Sequence, residues 1–156
     1  MRPILEVIAG YLVMMIIVMV TLTLAWTILG PSFAYQPGTT HVTLAWIGFN
    51  LPISILAAIA GGYITEWVSL SDTLVPVKVL AGIILGVGLI MAVAHLFTDQ
   101  TAAQQIAEAV STEGMNALAG SSEAVQPVWY NFLIPFLGAA GVMIGGRLRS
   151  LAEEEG

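Results

Sequence analysis

Long apolar runs alternate with short polar or proline-containing segments along the chain. A bilayer core of about 30 Å needs about 20 consecutive apolar residues in a helix, because each residue advances about 1.5 Å. Four segments meet this requirement, and they predict transmembrane helices at residues 4–29, 42–67, 77–97 and 127–148. The pattern therefore predicts an all-α membrane fold, a four-transmembrane-helix bundle that forms one domain over residues 1–156.

Two segments outside the predicted spans are long enough to interpret. Residues 98–126 form an outer loop, in which apolar residues at helical spacing predict a short amphipathic helix. This loop carries four acidic residues and no basic residue, and residues 149–156 form a second acidic segment, the tail. Dispersed acidic residues are typical of a solvated surface.

Composition and charge narrow the possible functions. Hydrophobic residues make up 58% of the chain and charged residues only 9%, which excludes an ordinary soluble enzyme. The net charge of −6 leaves no basic surface for nucleic acid, and the absence of cysteine excludes disulfides, thiolate metal sites and thiol nucleophiles. HExxH, GxSxG and phosphate-binding loops are also missing. We therefore expect no enzymatic activity, no cofactor, no metal and no nucleic-acid partner.

The basic residues predict how the helices cross the membrane. With four spans, all four bases fall on one side of the bilayer, and they are Arg2, Lys78, Arg147 and Arg149. Cytoplasmic loops carry an excess of Lys and Arg, so both termini are predicted to be cytoplasmic. Trp46 and Trp129 at the outer interface and Trp67 at the inner one fit the aromatic belts of membrane proteins.

The two halves of the sequence resemble each other. Residues 6–10 read EVIAG and residues 78–82 read KVLAG. A second correspondence, with one extra residue before the glycine pair, aligns Trp46, Phe49, Pro52 and Gly61-Gly62 with Trp129, Phe132, Pro135 and Gly145-Gly146. The pattern favours two parallel αα-hairpin repeats. Chance similarity between apolar segments is the alternative.

Small residues at helical spacing predict where helices pack. Lipid tails are as apolar as leucine, so membrane helices associate by close contact between small side chains. The predicted helix-packing residues are Gly61, Gly82, Gly86, Gly138, Gly141 and Gly145. Two of the intervals match the GxxxG motif, which serves both packing within one chain and contacts between chains.

Polar side chains within membrane spans are costly, so each one suggests a site. A polar lining is predicted from four residues in the outer half of the spans, namely Asn50, Ser54, His95 and Asn131. Glu6 and Lys78 occupy matching positions in the first and third helices, and we expect them to form an ion pair. A proton-carrying role for Glu6 is the alternative.

Several short segments carry a family resemblance. The segments VIAGY at 7–11, PG at 37–38, GGY at 61–63 and GGRLR at 145–149 resemble those of small bacterial inner-membrane proteins with four transmembrane helices. The resemblance implies four helices with both termini inside, in the inner (plasma) membrane of a bacterium. It implies no activity and no site residue.

Two functions fit these patterns. The first is a non-catalytic integral membrane protein, a structural or accessory subunit of a homo-oligomer or a larger membrane complex, which packs through its small-residue helix faces. The second is a small transporter or channel for a solute or ion, with the polar lining in its outer half. The lipid bilayer is a partner in both cases, and the first function adds other copies or other membrane subunits.

Overall fold

The computed structural model describes residues 2–36, 41–69, 74–97 and 126–154. Within these ranges the fold is helical apart from one isolated β-bridge, between Tyr35 and Val42. The helices are α1 (Arg2–Leu29), α2 (Pro31–Ala34), α3 (Leu44–Val68), α4 (Val75–Phe97) and α5 (Val128–Glu154). All except α2 are long and apolar enough to cross a membrane. The prediction of an all-α fold with four candidate membrane spans is confirmed.

The other long helices begin and end within about two residues of their predicted spans, whereas α5 is longer than predicted. Helix α5 continues to Glu154, so residues 149–154 of the predicted acidic tail are helical. Residues 147–154 contain neither Gly nor Pro and consist mainly of good helix formers, so nothing in this segment stops the helix. The predicted amphipathic helix in residues 98–126 lies outside the described residues, which resume only at Gln126.

A short helix follows the first span, where the sequence suggested only a loop. Gly30 adopts φ +72°, a left-handed conformation that ends a helix at little cost for glycine. Pro31 then begins α2, a position that suits the fixed φ of proline. Thr43 anchors α2 to the next span, because its hydroxyl donates to the Phe33 carbonyl at 2.6 Å and accepts from the Trp46 amide at 3.1 Å.

The four long helices pack around a central pair. Helices α3 and α5 share the most extensive contact, α1 lies on α3, and α4 lies on α5. Helices α1 and α4 also touch, whereas α3 and α4 meet only slightly. Successive long helices run in opposite directions, so α3 and α5 are parallel. We call the end where α1 begins and α5 ends the terminal end, and the other the α2 end.

Two clusters of buried residues hold the bundle together. The cluster at the α2 end consists of Ala25, Ala34, Val42, Trp46, Ile47 and Tyr130. The cluster towards the terminal end consists of Ala58, Val77, Leu80, Ala81 and Val142. Large apolar side chains on the outer surfaces are exposed, as expected for helices that face lipid.

Candidate helix-contact site

Helices α3 and α5 meet backbone against backbone. Gly62 lies against the main chain of Val142, and Gly145 lies against the main chain of Ile59. A Cβ atom added to Gly141 would lie 2.8 Å from the Cβ of Ala58. Small residues one turn apart on each helix therefore bring the two backbones together, as in other closely packed membrane helices.

The contacts between α3 and α5 are reciprocal. The interval in the chain from Ala58 to Gly141 equals the interval from Ile59 to Val142 and from Gly62 to Gly145. Gly62 meets Val142, and Ile59 meets Gly145, so the same pair of positions meets twice with the roles of the helices exchanged. Two parallel helices related by a local twofold axis have this contact pattern.

The outer helices attach to the central pair through different faces. On α3, Gly61 lies against Met14, and Thr65 brings its hydroxyl against Gly10 of α1 while donating to the Gly61 carbonyl at 2.8 Å. On α5, three residues meet α4, and these contacts are Pro135 with Gly88, Gly138 with Ile84 and Gly146 with Val77. The residues that meet α1 and those that meet α4 do not occupy matching positions on α3 and α5.

The predicted packing glycines fall into two groups. Gly61, Gly138, Gly141 and Gly145 lie between helices. Gly82 and Gly86 are exposed, and an added Cβ at either position would find no atom within 4 Å. Because α4 turns Ile84 and Gly88 towards α5, positions 82 and 86 fall on its outer side and make no helix contact within the described chain.

Several contact residues were not singled out from the sequence. They are Gly10, Gly62, Gly88 and Gly146, together with Thr65. The helix contact at Gly10 could have been predicted, because Gly10 is the only glycine within α1, a helix otherwise rich in bulky side chains. Gly62 and Gly146 directly follow the predicted Gly61 and Gly145, and local spacing does not indicate which member of each pair faces which helix.

The predicted polar lining does not converge on one space. Asn50 lies three helical turns before Gly61, so it shares the face of α3 that meets α1. Asn131 shares the face of Pro135 and Gly138, which meets α4. Ser54 donates its hydroxyl to the Asn50 carbonyl at 2.9 Å, and neither Asn side chain hydrogen-bonds to a described residue. The side chain of His95 lies outside the described part.

Glu6 and Lys78 are both at the terminal end, but the structure records no ion pair between them. Glu6 is buried and shares the face of Gly10, which meets α3. Lys78 is exposed and follows Val77, the residue that meets α5. The two side chains therefore leave their helices in different directions. Thr65 and Glu66 are the other buried polar side chains at this end, among the residues described.

Within the described ranges, no three His, Asp or Glu side chains come close enough together to hold a metal ion. No family model, no curated protein and no solved structure matches the chain. The resemblance to small bacterial inner-membrane proteins stays a prediction.

Proposed function

We propose that the chain is a non-catalytic integral membrane subunit that binds another transmembrane helix through an exposed face of α4. This glycine face consists of Val79, Gly82, Ile83, Gly86 and Ile90. The observation that carries the proposal is the pair of glycines at its centre, which are one turn apart and have open space above them. The partner is another copy of the chain or a different membrane subunit.

Among the described residues, Gly82 and Gly86 pack against no other helix. A glycine in the middle of a helix costs roughly 0.5–1 kcal/mol relative to alanine, because it loses more backbone freedom on folding. Elsewhere in the bundle this cost is offset, since glycines such as Gly62 and Gly145 let two backbones touch. Gly82 and Gly86 offer the same close approach to a helix from outside. Lipid tails adapt to any side chain and need no glycine.

A double substitution tests the glycine face directly. Gly82→Leu with Gly86→Leu fills the open space, so a second helix can no longer approach, while the fold of the chain is left intact. We expect native mass spectrometry from a mild detergent to show a complex for the unchanged chain and its loss in the double variant. The mass of the complex identifies a second copy or another subunit.

Gly48→Leu is the matched control, because Gly48 is also exposed, helical and free of neighbours within 4 Å, but lies on α3 without a second glycine one turn away. It is expected to leave the complex unchanged. A chain that is monomeric and recovered without partners would contradict the proposal, as would a complex that survives the double substitution.

We also propose that the chain lies in the inner membrane of a bacterium with both termini in the cytoplasm. Support comes from the four bases, which all belong to the terminal end, and from the tendency of basic residues to stay inside. The chain has no cysteine, so a single introduced one can be labelled alone. A membrane-impermeant maleimide should label Ser32→Cys in intact cells and Ala152→Cys only after lysis, and the reverse pattern would refute this orientation.

The parallel repeat is the third part of the proposal. It is supported by the reciprocal contacts of α3 and α5, because Trp46 and Trp129, Pro52 and Pro135, and Gly62 and Gly145 are all separated by the same interval. With Gly62 matched to Gly145, the correspondence needs no extra residue. Duplication thus accounts for the central pair, whereas α1 and α4 have taken up different positions around it.

A further inference from the structure

One contact fixes α4 against α5 at the terminal end. A Cβ atom added to Gly146 would lie 2.6 Å from Cγ1 of Val77, so these two residues face each other directly. The next residue on each helix is basic, Lys78 after Val77 and Arg147 after Gly146. Both of these side chains are exposed.

Helix direction decides where the two bases point. Seen from one end, successive residues of a right-handed helix turn clockwise when the chain runs away from the viewer and anticlockwise when it approaches. Helices α4 and α5 run in opposite directions, so Lys78 and Arg147 turn towards the same side of the pair. Leu80 and Gly145, which contact α1 and α3, turn towards the opposite side. The two bases therefore flank the outer groove between α4 and α5.

The surroundings of this groove are apolar and face outwards. Leu85 lies about two turns from Lys78 on the same side of α4, and Ala140 and Phe136 lie about two and three turns from Arg147 on the same side of α5. Ala140 and Phe136 are exposed, and Leu85 is partly exposed. Among the described residues, neither Lys78 nor Arg147 takes part in an ion pair. Within the described chain, two cations without an ion-pair partner thus lie on the same side of the helix pair, above a surface suited to hydrocarbon.

We propose that Lys78 and Arg147 together bind the phosphate of an anionic phospholipid, whose acyl chains lie along the outer groove between α4 and α5. Charge complementarity selects the headgroup, since basic residues between helices at the membrane boundary attract anionic lipid phosphates. The apolar flanks select a lipid over a soluble phosphate, which has no acyl chain to place there. The lipid site lies beside the glycine face and does not depend on the function proposed for it.

The test compares lipids that differ only in headgroup. The delipidated protein is mixed with phosphatidylglycerol or phosphatidylcholine of identical acyl chains, and bound lipid is counted by native mass spectrometry. Each basic residue near an anionic lipid contributes about 1 kcal/mol, or about fivefold in affinity. Lys78→Gln and Arg147→Gln are each expected to weaken phosphatidylglycerol binding about fivefold and to leave phosphatidylcholine binding unchanged.

Three controls make the result specific. Arg2→Gln removes one basic charge from the same end of the bundle and should leave lipid binding unchanged. Lys78→Arg with Arg147→Lys keeps both charges and should keep the preference for phosphatidylglycerol, and circular dichroism verifies the helical fold of every variant. Excess inorganic phosphate should not displace the lipid.

Equal binding of the two lipids would overturn the proposal, and so would an equal loss in Arg2→Gln. Unchanged phosphatidylglycerol binding after Lys78→Gln and Arg147→Gln would overturn it as well. Complete displacement by inorganic phosphate would identify a site for a free anion rather than for a lipid.

Discussion

The two ends of the bundle are held together by opposite means. Towards the terminal end, α3 and α5 touch through Ala58, Gly62 and Gly145, and the helix backbones themselves are in contact. At the α2 end, aromatic rings fill the space between helices, with the ring centroids of Trp26 and Trp46 6.3 Å apart. Neither arrangement depends on water exclusion, because lipid is as apolar as the side chains. Larger side chains should therefore destabilise the terminal half, and smaller side chains should destabilise the α2 half.

The largest effect on the free energy of unfolding is expected from adding a side chain in the terminal half. Gly145→Leu places a side chain where the main chain of Ile59 lies, so α3 and α5 must separate. We expect a loss of about 3 kcal/mol in the free energy of unfolding, since overpacking a tight contact costs up to this amount and occasionally more. Reversible unfolding in mixed micelles, followed by circular dichroism, measures it.

Gly48→Leu is the matched control, because it adds the same side chain to a spanning helix where no atom lies within 4 Å and outside the glycine face. Its free energy of unfolding should not fall, and it should rise by up to about 1 kcal/mol because leucine is a better helix former than glycine. Equal losses in the two variants would show that the contrast between packed and open glycines is wrong.

The next largest effect on the free energy of unfolding is expected from removing a side chain at the α2 end. Trp46 is 6% exposed and its ring packs against those of Trp26 and Phe33. Trp46→Ala removes these contacts, and each aromatic pair contributes roughly 0.5–1.5 kcal/mol beyond the area it buries. We expect a loss of about 2 kcal/mol in the same unfolding measurement. Trp67→Ala, at a residue that is 61% exposed, should cost far less, and a similar cost would contradict the account.

The smallest effect concerns the hydroxyl that fixes α2. Thr43→Ala removes the hydrogen bond to the Phe33 carbonyl and the cap of α3, and a lost N-cap typically costs about 1 kcal/mol. Thr43→Ser keeps the hydroxyl and should restore most of this stability. If serine behaves like alanine, the methyl group of Thr43 and not its hydroxyl stabilises this end.

The sequence predicts the spanning helices well because their length follows from the apolar runs alone. It could not separate two kinds of glycine pair. Gly82 and Gly86 have the same spacing as Gly141 and Gly145, yet one pair faces outwards and the other lies between helices. The difference is the rotation of each helix about its axis, which is set by contacts between distant parts of the chain rather than by local spacing.

The sequence also did not predict which neighbouring helix each polar residue faces. Asn50 and Asn131 occupy similar depths in their spans, so depth alone suggested a shared lining, but they lie on faces that meet different helices. Glu6 and Lys78 occupy matching positions in the sequence and yet point apart. The short helix α2 was missed for a related reason, because it is anchored by Thr43, which follows it in the chain by several residues.

The reciprocal contact of α3 and α5 has a consequence for how this protein can change. In a symmetric homodimer every substitution at the interface occurs twice, once in each subunit, so a harmful change is harmful twice. Here the two faces are encoded by separate codons, and Gly62 can mutate while Gly145 does not. A chain that contains both faces of its own helix contact can therefore lose the symmetry of that contact through single substitutions.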